Sequence, residues 1–182
     1  MSIQHYKKVD TNNIIANFTD DLLHRSSLII PFLERDTDKT ICIIGQNPSN
    51  ANQEHADKTL EYFENFVFQN LPQYSKIIML NLYSRVDTQK EFNDDLERDE
   101  TRKELFQYLE KNSDFLLAFG ASKKDGAYSF HSKFEELKPF LNNKNIYKID
   151  IGNTNYPPHP GNPKILYNNF DLELTRCTLL NV

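Results

Sequence analysis

Thr40-Ile41-Cys42-Ile43-Ile44-Gly45-Gln46-Asn47-Pro48-Ser49 runs from four consecutive apolar residues straight into a turn built of Gly, Gln, Asn, Pro and Ser. A short apolar run without alternation predicts a strand over 40–45 buried on both faces, the pattern of a parallel sheet. In open α/β sheets, ligands bind beyond the carboxyl ends of the strands. Gly45, Gln46, Asn47, Pro48 and Ser49 are therefore the first candidates for recognition or chemistry.

Outward from this stretch the pattern repeats. Residues 57–69 carry Leu60, Phe63, Val67 and Phe68 at helical spacing, with Pro72 just beyond. A second buried strand is expected over 76–83, followed by a long polar and acidic loop over 84–97. A helix follows over 98–111, then a third strand over 114–120 and a loop over 121–128 containing Lys123 and Lys124. Ser132 and Glu135 are spaced as a capping box for the next helix, which precedes a fourth strand over 145–151. The loop 152–163 is too rich in Pro, Gly and Asn for regular structure. Residues 164–182 read as a short helix or an extended return. Residues 1–39 are the least legible and read as an N-terminal segment of a short helix and an edge strand. The order predicts an α/β fold in one domain, 1–182: a three-layer α/β/α sandwich around a central four-stranded parallel sheet with right-handed crossovers.

Composition narrows the function. The chain has 182 residues, enough for one domain with a full core. Its net charge of −5 gives no overall basic footprint for duplex DNA, so nucleic-acid contact has to come from a local patch. No apolar run is long enough for a membrane span, so no membrane association is expected. Cys42 sits inside a predicted strand and Cys177 lies far from it, which fits a reduced, cytoplasmic protein. No Cys/His cluster has metal-ligand spacing, so neither a metal nor another cofactor is expected.

Parallel strands bring their carboxyl ends to one edge. Asn47, Asn81, Arg85 and His159 should converge there, with Asp57 at the rim. Each also has a plainer reading. Asn47 is a good turn residue, and Asp57 a good helix N-cap. Asn81 is ordinary at a strand end, His159 is a rigid loop histidine, and Arg85 can pair with acids of the 84–97 loop. Tyr62 and Phe63 are core aromatics unless one faces the cleft.

In order, Gly45-Gln46-Asn47-Pro48, Leu80-Asn81, Phe119-Gly120 and His159-Pro160 resemble the motifs of the uracil-DNA glycosylase superfamily. More closely, the chain resembles the domain-of-unknown-function family DUF1643. The motifs are Asn47-Pro48-Ser49-Asn50-Ala51, Asp57-Lys58-Thr59, Asn81-Leu82-Tyr83-Ser84-Arg85 and Pro158-His159-Pro160, across about residues 24–170. The glycosylase resemblance implies that Asn81 pairs with the edge of a flipped base and that His159 donates to the base oxygen as the glycosidic bond breaks. It also implies that Gln46 and Asn47 place the water, and that Tyr62 or Phe63 stacks on the base. Asn47 stands where the most active branch has Asp, and an amide is not a general base; a mismatch-directed branch carries Asn as well. Asp57 and Arg85 belong to the DUF1643 pattern, with Asp57 as base and Arg85 on a phosphate. The expected partner is a single-stranded or flipped base in nucleic acid, or a free nucleotide. The expected activity is hydrolysis of an N-glycosidic bond in DNA repair or mobile-element metabolism. The alternatives are an inactive binder on the same fold, or a target of an acidic DNA-mimic inhibitor protein.

Overall fold

A computed structural model describes residues 3–121, 127–152, 154, 156–168 and 170–178. Its elements are β1 (Ile15–Phe18), β2 (Arg25–Pro31), β3 (Thr40–Gly45), α1 (Lys58–Asn70), β4 (Lys76–Asn81), α2 (Asp99–Lys111), β5 (Asp114–Leu117), α3 (Phe130–Leu141), β6 (Asn145–Ile149), α4 (Pro163–Leu166) and β7 (Leu174–Arg176). The strands form one seven-stranded sheet in the order β1-β2-β4-β3-β5-β6-β7. Strand β3 runs parallel to β4 and to β5, and β5 runs parallel to β6. The pairs β1–β2, β2–β4 and β6–β7 are antiparallel.

The sheet is thus mixed and wider than the expected four-stranded parallel one. The extra strands come from the two ends of the chain. Ile14, Ile15, Phe18, Leu22 and Leu23 carry a spacing that suggests a helix, yet β1 and β2 pair around a tight turn instead. Thr19 closes that turn by accepting from Leu22 N–H and donating its own N–H to His24 O, and Leu22 adopts φ 59°. The Asp21 carboxylate fixes it further, accepting from Thr19 Oγ1 at 2.6 Å and Leu23 N–H at 3.0 Å. At the other end, the tail supplies both of its expected alternatives, as α4 and β7. Helix α3 corrects the predicted capping box. It starts at Phe130 with Ser129 as N-cap, and Ser132 bonds the Ser129 hydroxyl within the first turn.

Alternation along the strands sends side chains to two cores. Ile41, Ile43, Ile77 and Met79 face Leu60, Phe63, Phe66 and Val67 of α1. Cys42, Ile44, Ile78 and Leu80 face Leu105 and Leu109 of α2 and Phe134 and Leu137 of α3. The alternation breaks once, in β2. There, Ser27 pairs with Asn17 and Arg25 with Phe18, so Ser26 is the extra residue of a β-bulge. Ser26 Oγ donates to Glu104 at 2.5 Å and Ser27 Oγ donates to Tyr108 at 3.1 Å, so both serines point toward α2.

The N-terminal segment is latched to α1 by a buried ion pair. His5 Nδ1 meets Glu64 Oε1 at 2.6 Å, and His5 Nε2 meets the Asn52 carbonyl at 2.8 Å. Both partners are acceptors, so both ring nitrogens carry hydrogen and the imidazole is a cation. Glu64 Oε2 accepts from Tyr6 N–H at 2.8 Å. No helix of the described residues is long and apolar enough to cross a membrane.

Candidate functional site

Gly45 and Asn81 face each other in register at the ends of β3 and β4. A Cβ at position 45 would sit 3.1 Å from Asn81 Oδ1, so any side chain there would press on the Asn81 amide. Pairing continues past both strand ends, with Leu82 N–H donating to Gly45 O and Tyr83 N–H to Gln46 O, both at 3.0 Å. The turn is then stitched to its neighbours. Gln46 Nε2 donates to Phe119 O at 2.7 Å, across the end of β5. Asn47 Nδ2 donates to the Asp87 carbonyl, and Asp87 N–H returns to Pro48 O at 3.3 Å. Ser49 Oγ accepts from Ala51 N–H at 3.2 Å.

The loop after β6 closes over the same edge. Gly120 N–H donates to Pro157 O at 2.7 Å. Gly120 has φ +71°, and a Cβ there would lie 3.2 Å from His159 Cβ, so the histidine seats against a residue that has to be glycine. Gly161 N–H donates to His159 Nδ1 at 3.0 Å. That bond makes Nδ1 an acceptor, so the neutral ring carries its hydrogen on Nε2. Burial, reinforced by the Lys90 charge and opposed by Asp57, lowers the His159 pKa. His159 is thus a neutral donor near pH 7.

These elements enclose a hollow of about 150 Å³. Gly45, Gln46, Asn47, Pro48, Ser49, Asp57, Asn81 and His159 all line it. Asn81 is only 7% exposed, and its Nδ2 is buried with no hydrogen-bond partner. A buried amide left without a protein partner is costly in a folded protein, and such a group is completed by water, an ion or a ligand. Asp57 fulfils its plainer reading as well as lining the hollow: Oδ1 accepts from Leu60 N–H at 2.7 Å as the N-cap of α1.

Three expected site residues lie elsewhere. Arg85 pairs with Asp95 at 2.7 Å and stacks over Phe92, so the acids of its own loop claim it. Asp95 also binds Arg98, completing a surface network. Tyr62 and Phe63 belong to the α1 core; Tyr62 stacks on Phe66 with ring centroids 5.8 Å apart. The apolar wall of the hollow is instead Leu60 and Met79. Position along the helix explains the exchange: Leu60 lies in the first turn of α1, next to the N-cap Asp57 that also lines the hollow, and Tyr62 and Phe63 lie further along. Lys123 and Lys124 lie outside the described residues.

Sequence reasoning missed Arg25, Thr59, Thr88 and Lys90, which also line the hollow. It missed Asp87 too, the anchor of the long loop. The Asp87 carboxylate accepts from Tyr128 Oη at 2.6 Å and from Glu91 N–H and Phe92 N–H, each at 3.1 Å. Burial alone raises its pKa, but these donors more than offset it and hold the carboxyl below its ordinary range. Asp87→Ala is expected to cost about 1.5–3 kcal/mol, the range for hydrogen bonds to a charged group. Urea unfolding measures this, and faster proteolysis within 88–95 reports the loosened loop. Because the folded pKa is depressed, the contribution is full above the unfolded value and disappears as pH falls through the folded one. Acid titration should therefore lose a component of stability that Asp87→Ala has already lost.

Among the described residues, no group of three or more His, Cys, Asp or Glu side chains is placed to hold a metal ion. Comparison with curated proteins and with solved structures gave no match. A family model described as a protein of unknown function (DUF1643) matches residues 31–161. That match spans well over half of the chain, includes the Gly45 turn, Asn81 and His159, and stops short of Arg25. The chain therefore belongs to the DUF1643 family.

Proposed function

We propose that the hollow receives a single-ring nucleobase, presented by a single strand or by a free nucleotide, and that its groups permit hydrolysis of the N-glycosidic bond. The observation that carries this reading is the buried, unpartnered Asn81 amide lining the same hollow as a neutral imidazole donor. An amide offers an acceptor and a donor side by side, matching the N3–H and O4 of uracil or thymine. A cavity of about 150 Å³ is the size that holds a benzene ring, and the Leu60 and Met79 walls suit a flat heterocycle. The −5 net charge favours an isolated base or nucleotide over duplex DNA.

Bond cleavage sends the glycosidic electron pair into the base and leaves an oxocarbenium-like sugar. His159 Nε2–H stabilises the base oxygen that gains negative charge, a donor role of the oxyanion-hole type. Water adds to the sugar and gives up a proton. Asp57 is the carboxylate of the hollow and takes it, whereas the Asn47 side chain serves the loop by binding Asp87. The Asn47 amide also favours a second reading, in which the site binds a base without turnover.

The test is a panel of uracil-containing, thymine-mismatched and modified-base single strands and free nucleotides, scored for binding and for base release. Asn81→Leu is expected to weaken binding about 10- to 100-fold, corresponding to roughly 1–3 kcal/mol for unpaired polar groups. Binding of none of the panel by the native protein overturns the proposal; binding without release in any case selects the second reading.

A further inference from the structure

Arg25 is 4% exposed, lines the hollow and takes part in none of the ion pairs of the described residues. Its Nη1 donates to Ala51 O at 2.7 Å and Ser49 O at 3.4 Å, which holds the side chain behind the Asn47–Ala51 turn. Its Nε is buried with no hydrogen-bond partner. The guanidinium lies 5.8 Å from the centre of the Phe18 ring. Burial pushes its pKa down to about 10 against the nearby Asp57 charge. A buried cation without a directly paired carboxylate is an expensive thing to keep in a fold.

The backbone goes out of its way to put it there. Side chains two apart on a strand share a face. Ser27 points toward α2, so a regular β2 would send Arg25 to α2 as well. The bulge at Ser26 inserts one residue, places Ser26 and Ser27 on the same side, and turns Arg25 onto the opposite face, over the hollow. Bulges re-aim side chains in this way beside functional sites. The first turn of α1 ends at the same hollow through Asp57, Thr59 and Leu60, so the positive end of its dipole adds to the field.

We propose that Arg25 is the anion subsite of the hollow and that the ligand is a phosphorylated nucleoside whose phosphate the guanidinium receives. The base half of that ligand rests on the reading of Asn81 given above; the phosphate half rests on Arg25 alone. The planar fork of arginine suits a phosphate with two oxygens presented together. Arg85, the phosphate holder expected from sequence, is replaced in this role by a residue on β2.

Calorimetric titration with four probes tests it: uridine, uridine 5′-monophosphate, ribose 5-phosphate and a three-nucleotide oligouridylate. The wild type is expected to bind the monophosphate at least tenfold tighter than uridine, with the difference shrinking as salt rises. Arg25→Gln should bring the monophosphate down to the affinity that the same variant shows for uridine, and Arg25→Lys should restore part of the gap. Once the monophosphate gap is present and upholds the subsite, an oligouridylate that binds as well as the monophosphate places the phosphate in a strand, and one that binds worse than uridine places it in a free nucleotide. Binding of ribose 5-phosphate that is lost in Arg25→Gln, without binding of uridine, upholds the subsite and rejects the base reading. Equal wild-type affinities for uridine and its monophosphate overturn the subsite while leaving the base reading intact, as does a gap that survives in Arg25→Gln. Should Arg25→Gln not fold, the wild-type ratio, its salt dependence and Arg25→Lys decide. Failure of all four probes to bind overturns both.

Discussion

Glu64→Ala is expected to destabilise the protein by about 3–5 kcal/mol, the usual consequence of removing one partner from a buried ion pair. Glu64 is fully buried and serves two donors, the His5 imidazolium and the Tyr6 amide. Truncation leaves both without an acceptor beneath the first residues of the chain. Urea unfolding at pH 6 gives the magnitude. The pH dependence identifies the cause. Burial alone pushes His5 down, but the Glu64 carboxylate and the Asn52 carbonyl more than offset it, so its pKa is raised. A raised folded pKa means that the stabilisation is complete below the unfolded value near 6.5 and is lost as pH rises through the folded one. The urea midpoint of the native protein should therefore decline as pH rises above about 6.5. Glu64→Gln, which keeps an acceptor for Tyr6, should flatten that decline. A slope that persists in Glu64→Gln would assign the pH dependence to another group.

His159→Ala is expected to lower the rate of base release about 10²- to 10³-fold, the range for removing one donor to a developing oxyanion. Ground-state affinity should change far less, because the donor acts most strongly on charge that appears during bond cleavage. Single-turnover assays separate the two. His159→Gln, which retains an N–H donor, should recover part of the loss. Acid should also weaken the reaction. Protonation of Nδ1 removes the acceptor for Gly161 N–H and frees the loop that positions the ring. Because the His159 pKa is lowered, that acid limb should lie below 6.5. A pH profile with its acid limb above neutrality would contradict a neutral His159 ring.

The residues that could be read from sequence share one property: local composition fixes their position. Strand β3 occupies 40–45 because four apolar residues, three of them Ile, end abruptly at glycine. Once β3 and β4 are parallel, Gly45 and Asn81 share an edge without further information. His159 follows because the loop after β6 opens on that same edge. What could not be read depends on nonlocal pairing. Arg25 reaches the site at the amino end of an antiparallel strand, where a rule about carboxyl ends says nothing, and only after a bulge has reversed its face. Tyr62 and Phe63 sit further along α1 than Leu60, away from its N-terminal turn. Arg85 is claimed by Asp95, an acid ten residues on whose approach depends on how the loop folds. Asp87 looks like any other carboxylate of an acidic stretch until Tyr128, far along the chain, is placed against it.

The sheet terminates in β1 on one side and β7 on the other, strands of four and three residues. Open backbone on a sheet margin is a template on which a foreign chain can add itself. Here the long, greasy strands at the middle are shielded by their neighbours, and the margins are too short to recruit a stranger. The protein is accordingly expected to remain dispersed at high concentration, and to begin forming intermolecular β-structure only after β1 or β7 has peeled away.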